Sequence, residues 1–274
     1  MLCFVEAPNS AGYKGSYDNI GDMVNKGLEV DLSATVLKKK NISWDVNVNA
    51  TTYKNEIAKL ADALKADLVV DGHPGYVSGD RLYAEGLPLY TWYIRRYAGL
   101  SEEGKSMWYY TDNDGNLQKT DVYGNATYYN CGSPHPDLYG GFGTTLSAYG
   151  FDLSVSFSYS LGGKAYDFGY ASLMGVPIGT SGGCAIHRDA LNAWSADNPT
   201  SDIPRWQYND PNTVSTSDRF LVSGSYLTLQ SINFGYTLPD NWIQRIGLSG
   251  IRVYLAADNV YYWSKRKGFD PRGS

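Results

Sequence analysis

The sequence predicts an all-β chain whose antiparallel strands cross a membrane as part of a β-barrel. Three observations carry that expectation: long runs with a period of two, connections that are short at one end and long at the other, and aromatic residues gathered at strand ends. The clearest run is 151–161, Phe-Asp-Leu-Ser-Val-Ser-Phe-Ser-Tyr-Ser-Leu. Phe151, Leu153, Val155, Phe157, Tyr159 and Leu161 alternate with Asp152, Ser154, Ser156, Ser158 and Ser160. Such alternation marks a strand with one apolar and one polar face. At about 3.3 Å per residue the strand is roughly 36 Å long. Tilted by about 45°, it rises roughly 25 Å, the height of the apolar band of a membrane barrel.

The pattern recurs along the chain. Leu28, Val30, Leu32, Ala34 and Val36 alternate with Glu29, Asp31, Ser33 and Thr35. Trp44, Val46, Val48 and Ala50 alternate with Asp45, Asn47, Asn49 and Thr51. Ile251, Val253, Leu255 and Ala257 form a further apolar set, and Phe142, Thr144, Leu146 and Ala148 share one face of a strand that starts Gly-rich. In 226–238 the parity changes between Leu229 and Ile232, which predicts a bulge. Six strands are expected from these runs, with two weaker candidates at 88–97 and 105–112.

A soluble β-sandwich alternates too, with its apolar face turned inward, so the period alone leaves both architectures open. Connection length favours the barrel. Strands 28–37 and 44–53 are joined around Lys38–Asn41, and strands 139–149 and 151–161 at Tyr149-Gly150. By contrast, a long stretch follows Tyr53 and another separates Leu161 from Arg219. Short turns at one end and long loops at the other are the layout of an outer-membrane barrel. The chain also has 24 Tyr, 7 Trp and 8 Phe, and many stand at strand ends: Trp44, Tyr53, Tyr149, Phe151, Tyr159, Tyr236, Trp242, Tyr261, Tyr262 and Trp263. Amphipathic rings collect where membrane meets water.

Composition excludes other classes. Net charge is −5, which gives a nucleic-acid partner no electrostatic support. The one basic run, Lys38-Lys39-Lys40, reads as a solvated hairpin tip. No apolar run reaches the roughly 18 residues that a membrane helix requires. Met1–Val5 lacks the basic start and apolar core of a signal peptide. Cys3, Cys131 and Cys184 are far apart and odd in number, without metal spacing, so free thiols are expected over a Cys131–Cys184 disulfide.

Several ordered blocks carry a family resemblance. Asn19-Ile20-Gly21-Asp22-Met23-Val24-Asn25-Lys26-Gly27-Leu28-Glu29 resembles the strand entry of SusC/RagA-type TonB-dependent transporters of Bacteroidota. Ser225–Ile232 with Gly235-Tyr236-Thr237-Leu238-Pro239 is similar to a late-barrel strand of that family. Arg252-Val253-Tyr254, Asn259 and Gly268-Phe269-Asp270-Pro271 are similar to its next strand and outgoing loop. The resemblance implies that 1–274 is a single segment of a barrel domain, about 6–8 strands of a roughly 22-stranded barrel with long extracellular loops. The plug, the small N-terminal domain and the last strand of the family pattern are expected to lie outside it. It implies import of oligosaccharide or peptide fragments across the bacterial outer membrane, energised by the TonB complex, with a SusD-like surface lipoprotein as partner. It implies no enzyme activity and no cofactor. Glu29, Asp31, Asp45, Asn47 and Asn49 would then face the lumen, and Leu28, Val30, Trp44 and Val46 the lipid.

No catalytic constellation is visible. His73, His135 and His187 stand in loops without matching partners. Asp112-Asn113-Asp114-Gly115-Asn116 is similar to a calcium loop, but Leu117 and Tyr123 occupy the positions of its Gly and Glu, which favours a polar turn. The stretch 162–218 is the candidate substrate loop: Trp194, Trp206 and Tyr208 stand among polar residues, a combination that suits sugars or peptides. Self-packing of the loop or contact with a partner would use the same rings, and Ala190–Trp194 is expected to form a short helix. The rival architecture, a secreted β-sandwich, would bind carbohydrate through these aromatics. A β-rich glycosidase would need a carboxylate pair, and none can be singled out.

Overall fold

The computed structural model describes residues 2–6, 8–65, 68–175, 185–208, 210–244 and 247–273. Six long strands form one antiparallel sheet in which spatial order follows chain order. They are β1 (Gly21–Lys39), β2 (Ile42–Leu60), β3 (Pro136–Ala148), β4 (Phe151–Gly162), β5 (Tyr226–Thr237) and β6 (Arg252–Ser264). The count matches the six expected strands. Segments 88–97 and 105–112 do form strands, Thr91–Arg95 and Ser106–Thr111, but they pair in small separate sheets outside the long one.

The register joins the alternating patterns into two faces. One row runs Leu32–Val48–Phe142–Phe157–Leu229–Tyr261 across all six strands. The next rows toward the turns are Ala34–Val46–Thr144–Val155–Ile232–Ala257 and Leu37–Trp44–Leu146–Leu153–Phe234–Leu255. Between them lie polar rows on the other face, such as Ser33–Asn47–Gly143–Ser156–Ser231–Asp258. A one-residue slip would exchange the two faces, so the alternation fixes the register. Three irregularities keep the apolar rows aligned: Val36 is an extra residue in β1 opposite Asp45 and Trp44, Gln230 is the predicted bulge in β5, and Asn259 and Val260 of β6 lie opposite Gln230 alone.

Among the described residues nothing covers the apolar face. Leu32 is 64% exposed, Leu255 74% and Phe234 45%. A sandwich would bury these side chains against a second sheet. Among the described residues no helix is long and apolar enough to cross a membrane, which says nothing about strands. Thr144 is the one hydroxyl in its row. The Trp44 indole Nε1 donates to it at 2.8 Å, and its own hydroxyl reaches the Asp45 carbonyl at 3.3 Å. Both polar roles are met within the sheet, as an apolar surrounding demands.

Glycines mark close approaches on both faces. A Cβ at Gly140 would meet the Asn49 carbonyl oxygen. The Tyr159 side chain instead reaches over Gly140, and its hydroxyl donates to that oxygen at 3.0 Å. On the polar face, Arg252 and Asp152 form a two-bonded ion pair (3.1 and 2.6 Å) over Gly235, from strands on either side of it. The β3–β4 turn is Tyr149-Gly150, with φ of 53° and 91°, the pair of positive angles that a two-residue hairpin requires.

Residues 61–135 and 163–225 both leave the same end of the sheet and fold together as a cap. Among the described residues the first connection is built mainly of short strands, and the second of brief helical turns and two short strands separated by irregular backbone. Their shared core holds Trp92, Ile94 and Cys131 from the first and Tyr166, Met174, Ala190 and Phe220 from the second. The outer part of β2 is buried under this cap. Ile57 and Leu60 are fully covered, the Leu60 N–H donates to Glu85 Oε1 at 2.8 Å, and the Leu89 N–H donates to Asn55 Oδ1 at 2.7 Å.

Candidate functional site

One cleft opens where the cap meets the polar face of the sheet at its outer rim, and a second lies within the cap. The first, about 210 Å³, is lined by Arg81, Trp92, Lys164, Phe168, Ser160 and Tyr226. Ser160 and Tyr226 are the outermost pair between β4 and β5. The Arg81 guanidinium lies 3.1 Å from the Trp92 ring centroid and donates to the Tyr90 carbonyl at 2.9 Å. The stack holds the cation in place without a carboxylate. Trp92 is itself fixed by donating its indole N–H to the Lys164 carbonyl at 3.0 Å.

The second cleft, about 590 Å³, is lined by Asp71, Arg96, Tyr129, Asn130, Lys164 and Asp218. Lys164 lines both clefts, and its Nζ donates to the Cys131 carbonyl at 2.6 Å. Asp218 accepts the Tyr97 N–H at 2.7 Å. Burial nevertheless raises its pKa above the ordinary carboxylate value, against the pull of that bond and of Arg96 and Lys164. Beside it burial pushes the Cys131 thiol up to about 11. Cys131 is free, and Cys184 lies outside the described residues. Opposite charges and amide groups around an open cleft suit a polar or zwitterionic ligand better than an apolar one.

The three aromatic candidates separate. The Trp194 ring packs on Gly104, where a Cβ would collide with it, and the backbone on either side is joined by Trp194 N–H to Ile203 O at 2.8 Å and Arg205 N–H to Gly104 O at 2.9 Å. Its principal contact is self-packing of the cap. Trp206 and Tyr208 are 46% and 72% exposed. The expected short helix is a single 3-10 turn, Arg188–Asn192. Glu29, Asp31, Asp45, Asn47 and Asn49 all share the polar face, and Leu28, Val30, Trp44 and Val46 the opposite one. Sequence reasoning missed Arg81, Arg96, Lys164 and Asp218. Their only sequence signal is a charged residue one or two places before an aromatic one within a long connection.

The calcium-like segment is a turn: Asp112 Oδ1 accepts the Asp114 and Asn116 N–H groups at 3.0 and 2.8 Å. Among the described residues no group of three His, Cys, Asp or Glu side chains could hold a metal ion.

No protein-family model matches the chain. The TonB-dependent receptor P3 of Formosa agariphila is 27% identical over 279 residues, 97% of this chain and 27% of its own length. The TonB-dependent receptor SusC of Bacteroides thetaiotaomicron is 26% identical over 99% of this chain and 26% of its own. The RagAB peptide importer in its closed-closed state superposes with a TM-score of 0.80 at 27% identity, over 99% of this chain and 29% of that chain. The likeness in sequence and the likeness in fold each extend over nearly the whole chain. The chain resembles SusC/RagA-type transporters in both sequence and fold. It spans between a quarter and a third of the length of these TonB-dependent relatives. The SusC/RagA resemblance read from the strand-entry and late-barrel blocks is thus met by both sequence and fold, and the relatives are receptors and transporters rather than enzymes.

Proposed function

We propose that this segment forms part of the wall and outer rim of a TonB-dependent transporter in the bacterial outer membrane. In this reading the apolar face meets lipid and the polar face, with Glu29, Asp31, Asp45, Asn47 and Asn49, lines the lumen. The observation that carries it is the uncovered apolar face, continuous across six strands, with polar rows opposite. The same exposure weighs against a secreted sandwich.

The cargo is an oligosaccharide or peptide fragment, captured at the cap with a SusD-like lipoprotein and drawn inward by the TonB complex acting on the intact receptor. The name of the RagAB peptide importer supports the peptide class, and the oligosaccharide class rests on the family resemblance. Trp206 and Tyr208 offer exposed rings for stacking, and the Lys164 clefts offer fixed charges.

The test uses the intact receptor in whole cells. A cysteine placed at Tyr208 should react with a membrane-impermeant thiol reagent from outside. Trp206→Ala and Tyr208→Ala should each weaken capture by about 1–2 kcal/mol with normal surface amounts. Unchanged affinity in both variants removes the substrate-contact role. Loss of the co-purifying lipoprotein instead assigns these rings to its interface.

A further inference from the structure

The inner end of the sheet carries a charged feature that transport does not use. Lys38, Lys39 and Lys40 close β1, and all three are exposed. Among the described residues none of them is in an ion pair. The nearest carboxylate on the adjoining hairpin, Asp152, is engaged by Arg252 at 2.6 Å. The lysines line a groove of about 410 Å³ between the β1–β2 and β3–β4 turns, which Ile42, Tyr149 and Phe151 also line. The two turns are tied together by the Tyr149 N–H donating to the Asn41 carbonyl at 3.0 Å, so the groove is formed in advance.

Register places the charges relative to lipid. Lys39 ends the apolar row Lys39–Ile42–Ala148–Phe151–Tyr236–Val253. Its stem can run along that row while its ammonium stays in water. Lys40 stands in the turn itself, and Lys38 falls on the polar side. The arrangement is therefore an apolar surface suited to acyl chains, ending in fixed cations at headgroup level beside exposed Tyr149 and Phe151 rings. Cations at a membrane surface attract anionic lipid, by about fivefold in affinity for each lysine.

We propose that Lys39 and Lys40, supported by the field of Lys38, bind the phosphate of an anionic phospholipid in the groove between the two hairpin turns. The site anchors this side of the barrel in the leaflet opposite the cap. The inference rests on the orientation proposed above, and the experiment separates the two.

The intact receptor is reconstituted in bilayers of phosphatidylcholine alone or mixed with phosphatidylglycerol. Retained lipid is then counted by native mass spectrometry. Lys39→Gln with Lys40→Gln should weaken phosphatidylglycerol retention by about 25-fold, two lysines' worth, and leave phosphatidylcholine unchanged. Lys39→Arg with Lys40→Arg should restore retention. On the unaltered receptor, raising salt from 0.1 to 1 M shortens screening from about 10 to about 3 Å and should release the lipid, which keeps the test readable if the Gln variant fails to assemble. Equal retention in the Gln variant, equal loss of both lipids, or salt-insensitive retention overturns the site. Separately, a cysteine at Lys40 should react with an impermeant reagent only after the outer membrane is opened. Reaction in whole cells would instead overturn the orientation.

Discussion

Arginine placed on the two faces of β4 tests the facing of the sheet most directly. Val155 lies four residues from Phe151, the first residue after the turn. At about 3.3 Å per residue and a tilt of about 45°, that is about 9 Å deeper than the Phe151 row, within the middle of an apolar band about 25 Å tall. Its row neighbours are Thr144 and Ile232, so an arginine there finds no carboxylate beside it. Val155→Arg should cost about 2–4 kcal/mol, a fall of about 30- to 700-fold in the folded-to-unfolded ratio. Ser156, one residue on, points to the polar face and touches the Ser231 hydroxyl at 2.7 Å. Ser156→Arg should lose that bond, about 1 kcal/mol. Val253→Arg, near the turn end, should also cost no more than about 1 kcal/mol. The readout is reversible refolding of the intact receptor into bilayers, followed by heat-modifiable mobility. Equal damage at Val155 and Ser156, or greater damage at Ser156, would mean that the faces have been assigned the wrong way round.

Gly140→Val should force its side chain into the Asn49 carbonyl oxygen and the Tyr159 hydroxyl, at a cost of about 1–3 kcal/mol for overpacking. The folded fraction in the same refolding assay measures it. Trp194→Ala should loosen the cap by about 1–3 kcal/mol, less than a fully buried tryptophan because this ring is half-buried. Faster amide exchange around Gly104 and Ile203 with normal barrel assembly is the expected signature. Asp218 supplies a pH dependence. Burial raises its pKa, so the folded cap holds this proton more tightly than the unfolded chain. The resulting stabilisation is complete below the ordinary carboxylate pKa and is lost as pH rises through the folded value. Asp218→Asn keeps an acceptor for the Tyr97 N–H and should flatten cap exchange against pH across that window. An identical profile in the variant would clear Asp218 of the effect.

The long strands were legible because period two records both the strand and its facing, and the parity change in 226–238 exposed the Gln230 bulge. Strand ends were harder: β1 begins at Gly21 rather than Leu28 because its outer residues lie beyond the uniform apolar rows. The cap was not legible. Its strands are too short for a period to emerge, and a strand signal such as 91–95 does not say which neighbour it will join. Aromatic residues misled for a related reason. Trp92, Trp108 and Phe220 have the same chemistry as exposed platforms, yet each is buried within the cap. Trp194 reads as a ligand surface until Gly104, ninety residues earlier, is seen to leave room for its ring.

The cap's core imposes an order on assembly. Neighbouring barrel strands are consecutive in the chain, so each hairpin can zip onto the last. Trp92 and Cys131, however, must wait for Tyr166 and Phe220, which arrive only after β3 and β4 have been threaded between the two connections. Burial in the cap therefore rewards only a chain whose four preceding strands have found their register. A slipped hairpin would leave these rings stranded on opposite sides of a misaligned rim. The ornate outer surface thus doubles as a late checkpoint on the wall beneath it, closing through contacts far apart in sequence, the kind that form slowly.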